Sequence, residues 1–481
     1  MTGRLANIVR IERTTRELQL LDAQITAWID GRGRNDRLGQ YQTPLAHLKY
    51  ALCGSLAGLR EAVERTKPDH PADVVYPTCR SFDYRLMLVH RVWSWYRVKF
   101  EQRDIDEFKP VLAAADEVIW SCYAAPFRVA SQRSGDIRRG PAPLAYIESR
   151  FAPEAIPRDE PPLDLRSDAG DAIVHDYLAK LAIPVVGIPP TCLDNPWWLV
   201  YLGHEVGHHL QYDLSPDWAL IEEFGELLFQ TARTAPAPVL GKDEAERWRQ
   251  WSGEIFADAC SVHAMGPWAV TAMAELERAD EASMLARGRP RYPPAAVRLD
   301  LLSRLAAKLG GAVTLPAGTA AGALVDGPPL MRGHVDLRQA AEQDRRMLGK
   351  IVGAISDWSL DGLGGFRELF GWNAAELAGY VDHWTTLLLS DEKLFPDVSL
   401  PAARQLAAAT AAAWAKVAGI ADAEQRELAR AKLAARALKI IATSREEQTR
   451  APDEAAMPDP RTLARDLTEL LLSAEPSDGP S

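Results

Sequence analysis

His204 and His208 stand four residues apart in the run His204-Glu205-Val206-Gly207-His208. On an α-helix, positions i and i+4 share one face, so both imidazoles can turn toward a single ion. Glu205, beside the first histidine, projects toward the same space. There a carboxylate can take a proton from a water and pass it to a leaving amine. Two imidazoles do not complete such a centre, because a hydrolytic zinc site needs a third protein ligand and one position left open.

The stretch Glu254-Ile255-Phe256-Ala257-Asp258 supplies a second i, i+4 pair, this time of carboxylates. A pair of acids on a helix can simply be solvated. Here the neighbours Ile255, Phe256, Ala257, Ala259 and Cys260 are apolar, and burying two carboxylates among them is costly unless they are paired or bound. Glu254 therefore reads as a metal ligand. Asp258 reads as the acceptor for the far ring nitrogen of a ligand histidine, fixing its tautomer. Two imidazoles, one carboxylate and an open position suit one zinc ion per chain.

Three helices are expected to carry these residues. Asp194-Asn195-Pro196 is a start signal for a helix running through the pentad to about Tyr212. A second helix is expected over residues 217–231, stopped by Ala235-Pro236-Ala237-Pro238, and a third over residues 243–265, closed by Gly266-Pro267. Just before them, the β-branched run over residues 182–189 contains Pro184 and Pro189. Proline is tolerated at a sheet edge, so the run reads as an edge strand. Val185, Val186 and Gly187 are then the candidate substrate-binding backbone, pairing with an extended peptide.

With these motifs in hand, the chain resembles the gluzincin metallopeptidases, in which His-Glu-x-x-His is followed by Glu-x-x-Ala-Asp. It is most similar to the HtpX-type and CAAX prenyl endopeptidases, which carry a further His-Pro-x-x-x-x-Arg motif. The matching stretch here runs from Tyr292-Pro293 to Arg298, with tyrosine in the histidine's place. The resemblance covers about residues 180 to 310. It implies zinc on His204, His208 and Glu254, Glu205 as general base, Asp258 behind a ligand and Arg298 organising the site. Tyr292 falls where that family stabilises the oxyanion, and a phenol can donate to a tetrahedral intermediate. It can equally pack beneath the proline turn.

Of the remaining histidines, His209 points about 100° away from His208 on a helix and reads as a packing residue. His263 falls nearly opposite Glu254, and His334 sits in a Gly-containing stretch.

The chain as a whole bounds the answer. A net charge of −11 over 481 residues argues against a nucleic-acid partner, because phosphate binding needs a basic excess. The aromatic-basic run Tyr84–Phe100 then reads as a core helix with snorkelling cations. Five scattered cysteines with no Cys-x-x-Cys pair point to a reducing compartment. The N-terminus lacks a signal-peptide core, and nowhere do about 18 apolar residues run together. The expectation is a cytoplasmic protein without a membrane span, whereas the family it resembles is usually membrane-embedded.

The expected fold is mainly α (α+β), a zincin-like core with a small sheet and an edge strand, flanked by helical regions. Residues 1–133 form a helical N-terminal domain, 134–170 a Pro-rich linker and 171–310 the metallopeptidase core. Residues 311–335 form a Gly/Ala-rich loop, 336–450 a helical C-terminal domain and 451–481 a tail expected to fray. The expected activity is hydrolysis of a protein or peptide substrate, by an endopeptidase ahead of an aminopeptidase. The flanking helices are candidates for docking a protein partner. The rival reading is a helical scaffold protein whose metal site is structural or inactive.

Overall fold

A computed structural model of the chain describes residues 2–32, 41–133, 137–149, 154–156, 183–215, 219–234, 242–288, 290–313, 321–360, 363–371, 374–390, 402–444 and 459–473, with a few single residues between. Four helices come first: α1 (Thr2–Arg32), α2 (Gln42–Glu64), α3 (Ala72–Glu101) and α4 (Lys109–Arg133). Apolar spacing explains them. In α2 the buried residues Leu45, Leu48, Leu52, Leu56, Leu59 and Val63 recur at threes and fours. The aromatic run in α3 is core, as expected. Trp93 meets Trp28 edge-on at 4.9 Å, and the Lys99 ammonium lies 3.7 Å over the Trp95 ring.

Three short strands follow: β1 (Leu144–Ile147), β2 (Glu154–Ile156) and β3 (Val185–Ile188), in the spatial order β1-β3-β2. β3 pairs in parallel with β1, Leu144 opposite Val185, and antiparallel with β2, Ala155 opposite Val186. The segment Val185–Gly187, expected at an edge, is thus the central strand with both sides taken. Pro184 and Pro189 bracket the strand instead of interrupting it, so no ladder donor is lost within it. All four of its residues are buried, the pattern of a strand covered on both faces. The edge strands are β1 and β2. Both β1 and β2 lie in the stretch 134–170 expected to lack regular elements, of which 134–136, 150–153 and 157–170 are outside the described residues.

The sheet divides two cores. Leu144, Tyr146 and Val185 face the bundle of α1, α2 and α3, whereas Ala145, Val186 and Ile188 face a larger core that includes α4. This alternation is the period-2 pattern of a pleated strand.

The larger core holds the expected metal region. A 3₁₀ turn at Pro196–Tyr201 leads into α5 (Leu202–Asp213), so the expected single helix is two segments. Asn195 does not cap; its amide donates back to the Thr191 carbonyl at 3.1 Å. Next come α6 (Ala219–Arg233), α7 (Lys242–Gln250) and α8 (Ser252–Met265). The helix expected over 243–265 is interrupted at Trp251, whose φ of −84° and ψ of −2° fall in the bridge region. Gly266, at φ +64°, closes α8 as its sequence signal implied.

Then follow α9 (Pro267–Glu277), α10 (Glu281–Leu285), α11 (Ala295–Lys308) and α12 (Ala321–Val325), with a small ribbon of β4 (Met331–Arg332) and β5 (Val335–Asp336). α12, β4 and the start of β5 therefore fall where only loop was expected. The chain continues through α13 (Leu337–Asp357), α14 (Phe366–Phe370), α15 (Ala374–Leu389), α16 (Ala403–Ala418) and α17 (Ala423–Ile441), which contribute to the larger core. The stretch 451–481, expected as a tail, holds a helix, and residues 474–481 lie outside the described residues. α18 (Pro460–Ser473) returns to the N-terminal bundle and buries Leu463, Leu467 and Leu471 there. Eighteen helices among the described residues make the fold mainly α. None of the described helices is long and apolar enough to cross a membrane.

Candidate metal centre

The site forms where α5 and α8 cross closely. Gly207, inside the pentad, permits this, because a Cβ there would lie 2.7 Å from the Ala257 Cα. Only a residue without a side chain lets the two backbones approach so near. The crossing sets Glu254, in the first turn of α8, opposite His204 and His208 on α5.

The geometry of the three side chains fits one ion. The Nε2 atoms of His204 and His208 are 3.1 Å apart. Glu254 oxygens lie 3.5 Å from the first and 3.6 Å from the second. Tetrahedral zinc with bonds of about 2.0–2.1 Å places its ligand atoms roughly 3.3–3.4 Å apart. Among the described residues this is the group of three whose donor atoms can converge on a cation, all within 4.8 Å of one another. Its donor set, two imidazoles and a carboxylate, is that of hydrolytic zinc.

Behind the triangle lies a buried polar web. His204 Nδ1 is 2.8 Å from Asp258 Oδ1, so Nδ1 donates there and Nε2 is the nitrogen turned to the Glu254 side. Asp258 is fully buried and accepts two 2.8 Å bonds from Arg298, through Nε and Nη2. Arg298, 1% exposed, also donates to Glu254 at 3.2 Å and to Glu277 at 2.9 Å. Its Nη2 is 3.5 and 3.3 Å from the two His204 ring nitrogens, nearly equidistant and so on the lone pair of neither. Arg298 reaches this position from the first turn of α11, which Pro294 starts.

Electrostatics follow from that web. For Glu254 burial alone would raise the carboxyl, but His208, His204 and Arg298 outweigh it and hold the group near about 2. Burial likewise opposes the charge on Asp258, yet Arg298 and His204 keep it well below the usual carboxylate range. Burial pulls His204 down, and the hydrogen bonds to Asp258 and Glu254 overcome it, lifting the imidazole to about 9. For His208 burial outweighs the nearby Glu254 charge and takes the imidazole to about 4. Glu205 is raised to about 7, chiefly by burial. Its Oε2 accepts a short hydrogen bond from the Ala155 backbone N–H of β2.

Tyr292 is half-buried in the turn before α11, with the Arg298 guanidinium 5.8 Å from its ring centroid. Its hydroxyl hydrogen-bonds to Glu254, and burial pushes the phenol well above its ordinary value. Val185–Gly187 stand apart from the substrate role expected of them. They are tied to α5 through His209, whose Nε2 lies 3.2 Å from the Val185 carbonyl. His263 stacks on Phe366 and donates from Nδ1 to the Ala259 carbonyl at 2.7 Å, and His334 is exposed between β4 and β5.

Sequence reasoning missed four contributors: Tyr201, Gln211, Glu277 and the Ala155 backbone. Gln211 is one turn beyond His208; its amide donates to the Gly253 carbonyl at 2.6 Å and is 3.4 Å from His208 Nδ1. Tyr201 is one turn before His204, its ring centroid 5.2 Å from the imidazole. Burial pushes its phenol well above the ordinary value against the pull of Arg298, with Glu205, Glu254 and Asp258 adding to the rise. Helical spacing from the pentad could have flagged both. Nothing local marks Glu277 or Ala155. Set against known protein families, curated proteins and solved structures, the chain matches none.

Proposed function

We propose that this chain is a zinc-dependent peptidase of the gluzincin kind, hydrolysing peptide bonds of a protein or peptide substrate. The observation that carries the reading is the triangle of His204, His208 and Glu254 donor atoms with an intact, buried Glu205 beside it. His204 and His208 would hold the ion through Nε2, and Glu254 through a carboxylate oxygen. When bound, zinc supplies Lewis acidity toward a carbonyl and acidifies a water.

Glu205 performs the proton transfers. Ala155 N–H holds its Oε2, leaving Oε1 to accept a proton from the attacking water as that water's oxygen bonds to the scissile carbonyl carbon. As the C–N bond breaks, Glu205 returns the proton to the amine nitrogen. A value near 7 suits a group that must do both at neutral pH. Asp258 and Arg298 keep His204 in the tautomer that offers Nε2. The substrate lies along β2 instead of β3. Ala155 turns its N–H away from β3 toward Glu205, so this edge runs past the reacting groups and leaves the Ala155 carbonyl, on the same side, to accept from an extended peptide.

Elemental analysis joined to two variants tests this. About one zinc per chain is expected, lost in the His204→Ala, His208→Ala double variant. Glu205→Gln should keep the metal and lower casein or fluorogenic-peptide turnover by about 10²–10⁴-fold. A metal-free wild type after reconstitution would sink the proposal. Zinc with no peptide cleavage would instead support a helical scaffold with a structural ion.

A further inference from the structure

The peptidase reading leaves open which group meets the oxygen of the scissile carbonyl as it gains negative charge. Two tyrosines border the site, and the structure treats them differently. Tyr292 has its hydroxyl engaged with Glu254, one of the ligand residues. A donor already committed to a carboxylate can reach another acceptor only by giving up a charge-assisted bond. Tyr292 thereby positions Glu254.

Tyr201 differs in three respects. It is the last residue of the 3₁₀ turn, one residue before α5 begins, so its place relative to His204 is fixed by one turn of helical backbone. Its ring packs on the imidazole at 5.2 Å and 47°, and the residue is only 6% exposed. Its hydroxyl makes no hydrogen bond to any described residue, although the phenol belongs to the same polar cluster as Arg298, Glu205, Glu254 and Asp258. A phenylalanine would pack against His204 equally well but would offer the site no donor.

Resting on the peptidase reading, we infer that Tyr201 is a catalytic residue whose hydroxyl donates a hydrogen bond to the carbonyl oxygen of the scissile bond as it becomes an oxyanion. No bond to Tyr201 forms or breaks. The phenol keeps its proton, and its hydrogen bond strengthens as charge gathers on the acceptor and relaxes when the C–N bond has broken. A donor fixed in a water-poor site is effective in this role, because nothing reorganises when the charge appears.

Tyr201→Phe, compared with wild type, tests the assignment through three readouts. Zinc content and the thermal midpoint should be unchanged, since the ring and its packing remain. For a fluorogenic peptide, kcat should fall by about 10²–10³-fold with little change in KM. A phosphinate pseudopeptide, which carries a tetrahedral anionic centre, should bind the variant more weakly by a similar factor, while a product peptide binds both proteins alike. Tyr292→Phe should differ by weakening zinc retention. If wild type cleaves and Tyr201→Phe keeps kcat within about threefold, Tyr201 is a packing residue and this inference alone is lost. Loss of zinc from Tyr201→Phe overturns it too. A zinc-loaded wild type that neither cleaves peptides nor binds the phosphinate removes the peptidase reading and this role together.

Discussion

The two cores on either side of the sheet bury different things. The N-terminal bundle of α1, α2, α3 and α18 is filled by Leu, Ile, Val and aromatic side chains. Among its buried polar groups, the Ser55 hydroxyl donates to the Ala51 carbonyl of its own helix and the Asn7 amide nitrogen donates to the carbonyls of Pro68 and His70, while Asn7 Oδ1 and the Trp93 indole N–H are left without a partner among the described residues. The larger core buries His204, Glu205, Glu254, Asp258 and Arg298 in one place, drawn from three helices. Desolvating five ionisable groups is expensive, and apolar residues of similar volume would hold the same helices together at less cost. The first region is what packing alone requires of a sequence. The second departs from it, and such departures mark where a fold gives up stability for chemistry.

If that contrast is right, breaking the web should be costly and breaking the bundle should be harmless to the site. Arg298→Leu removes the cation that Asp258, Glu254 and Glu277 share. Leaving those acids unpaired should destabilise the metal-free protein by about 3–5 kcal/mol, read as a drop of the thermal midpoint, with zinc retention lost as well. A loss under about 1 kcal/mol would mean the web contributes little. Gly54→Val is the matching change in the bundle. Its Cβ would meet the Ala464 Cβ of α18 at 2.6 Å, and neither atom can swing away. Overpacking of this kind costs about 1–3 kcal/mol. The variant should release α18 to proteolysis while zinc content and peptide cleavage stay at wild-type levels; a fall in zinc content would show that the two cores are coupled.

How legible each region was in the sequence follows the same division. The helices of the bundle could be read from apolar spacing, because an amphipathic helix records its own burial. α18 was passed over although Leu463, Leu467 and Leu471 repeat at fours, since proximity to the terminus suggested fraying. The candidate ligands are legible because i, i+4 spacing is a local property, so His204, His208, Glu254 and Asp258 can each be placed on a helix face from sequence. That α5 and α8 cross was not local, and Gly207 bears on it only once Ala257 is seen beneath it. The sheet was hardest. β2 is three residues long with every residue half-buried, so it has no alternation to detect. β3 was recognised as a strand but assigned to the edge, since prolines at both its ends resemble prolines within it. Register and neighbours are set by segments far apart in the chain, and a single strand's composition does not carry them.

The smallest effect concerns one proton. In the metal-free protein His204 is lifted to about 9 because its hydrogen bonds to Asp258 and Glu254 overcome burial, whereas His208 falls to about 4. A raised folded value means that the charged imidazole stabilises the fold below its ordinary 6.5, and that this contribution is lost as pH rises through about 9. Asp258→Asn removes the strongest of the raising influences and leaves the Glu254 hydrogen bond alone against burial and Arg298, which both lower the value. His204 should then titrate well below 9, moving toward the behaviour of His208, as followed by the imidazole carbon shifts of the metal-free variant. Zinc binding near pH 7 should also lose much of its pH dependence, because the ion no longer competes with a proton held on His204. An unmoved His204 midpoint would place the origin of its charge elsewhere in the web and leave Asp258 as a group that only anchors Arg298. The bundle supplies the control: Gly54→Val touches no ionisable group, so the same titration should be unchanged in it.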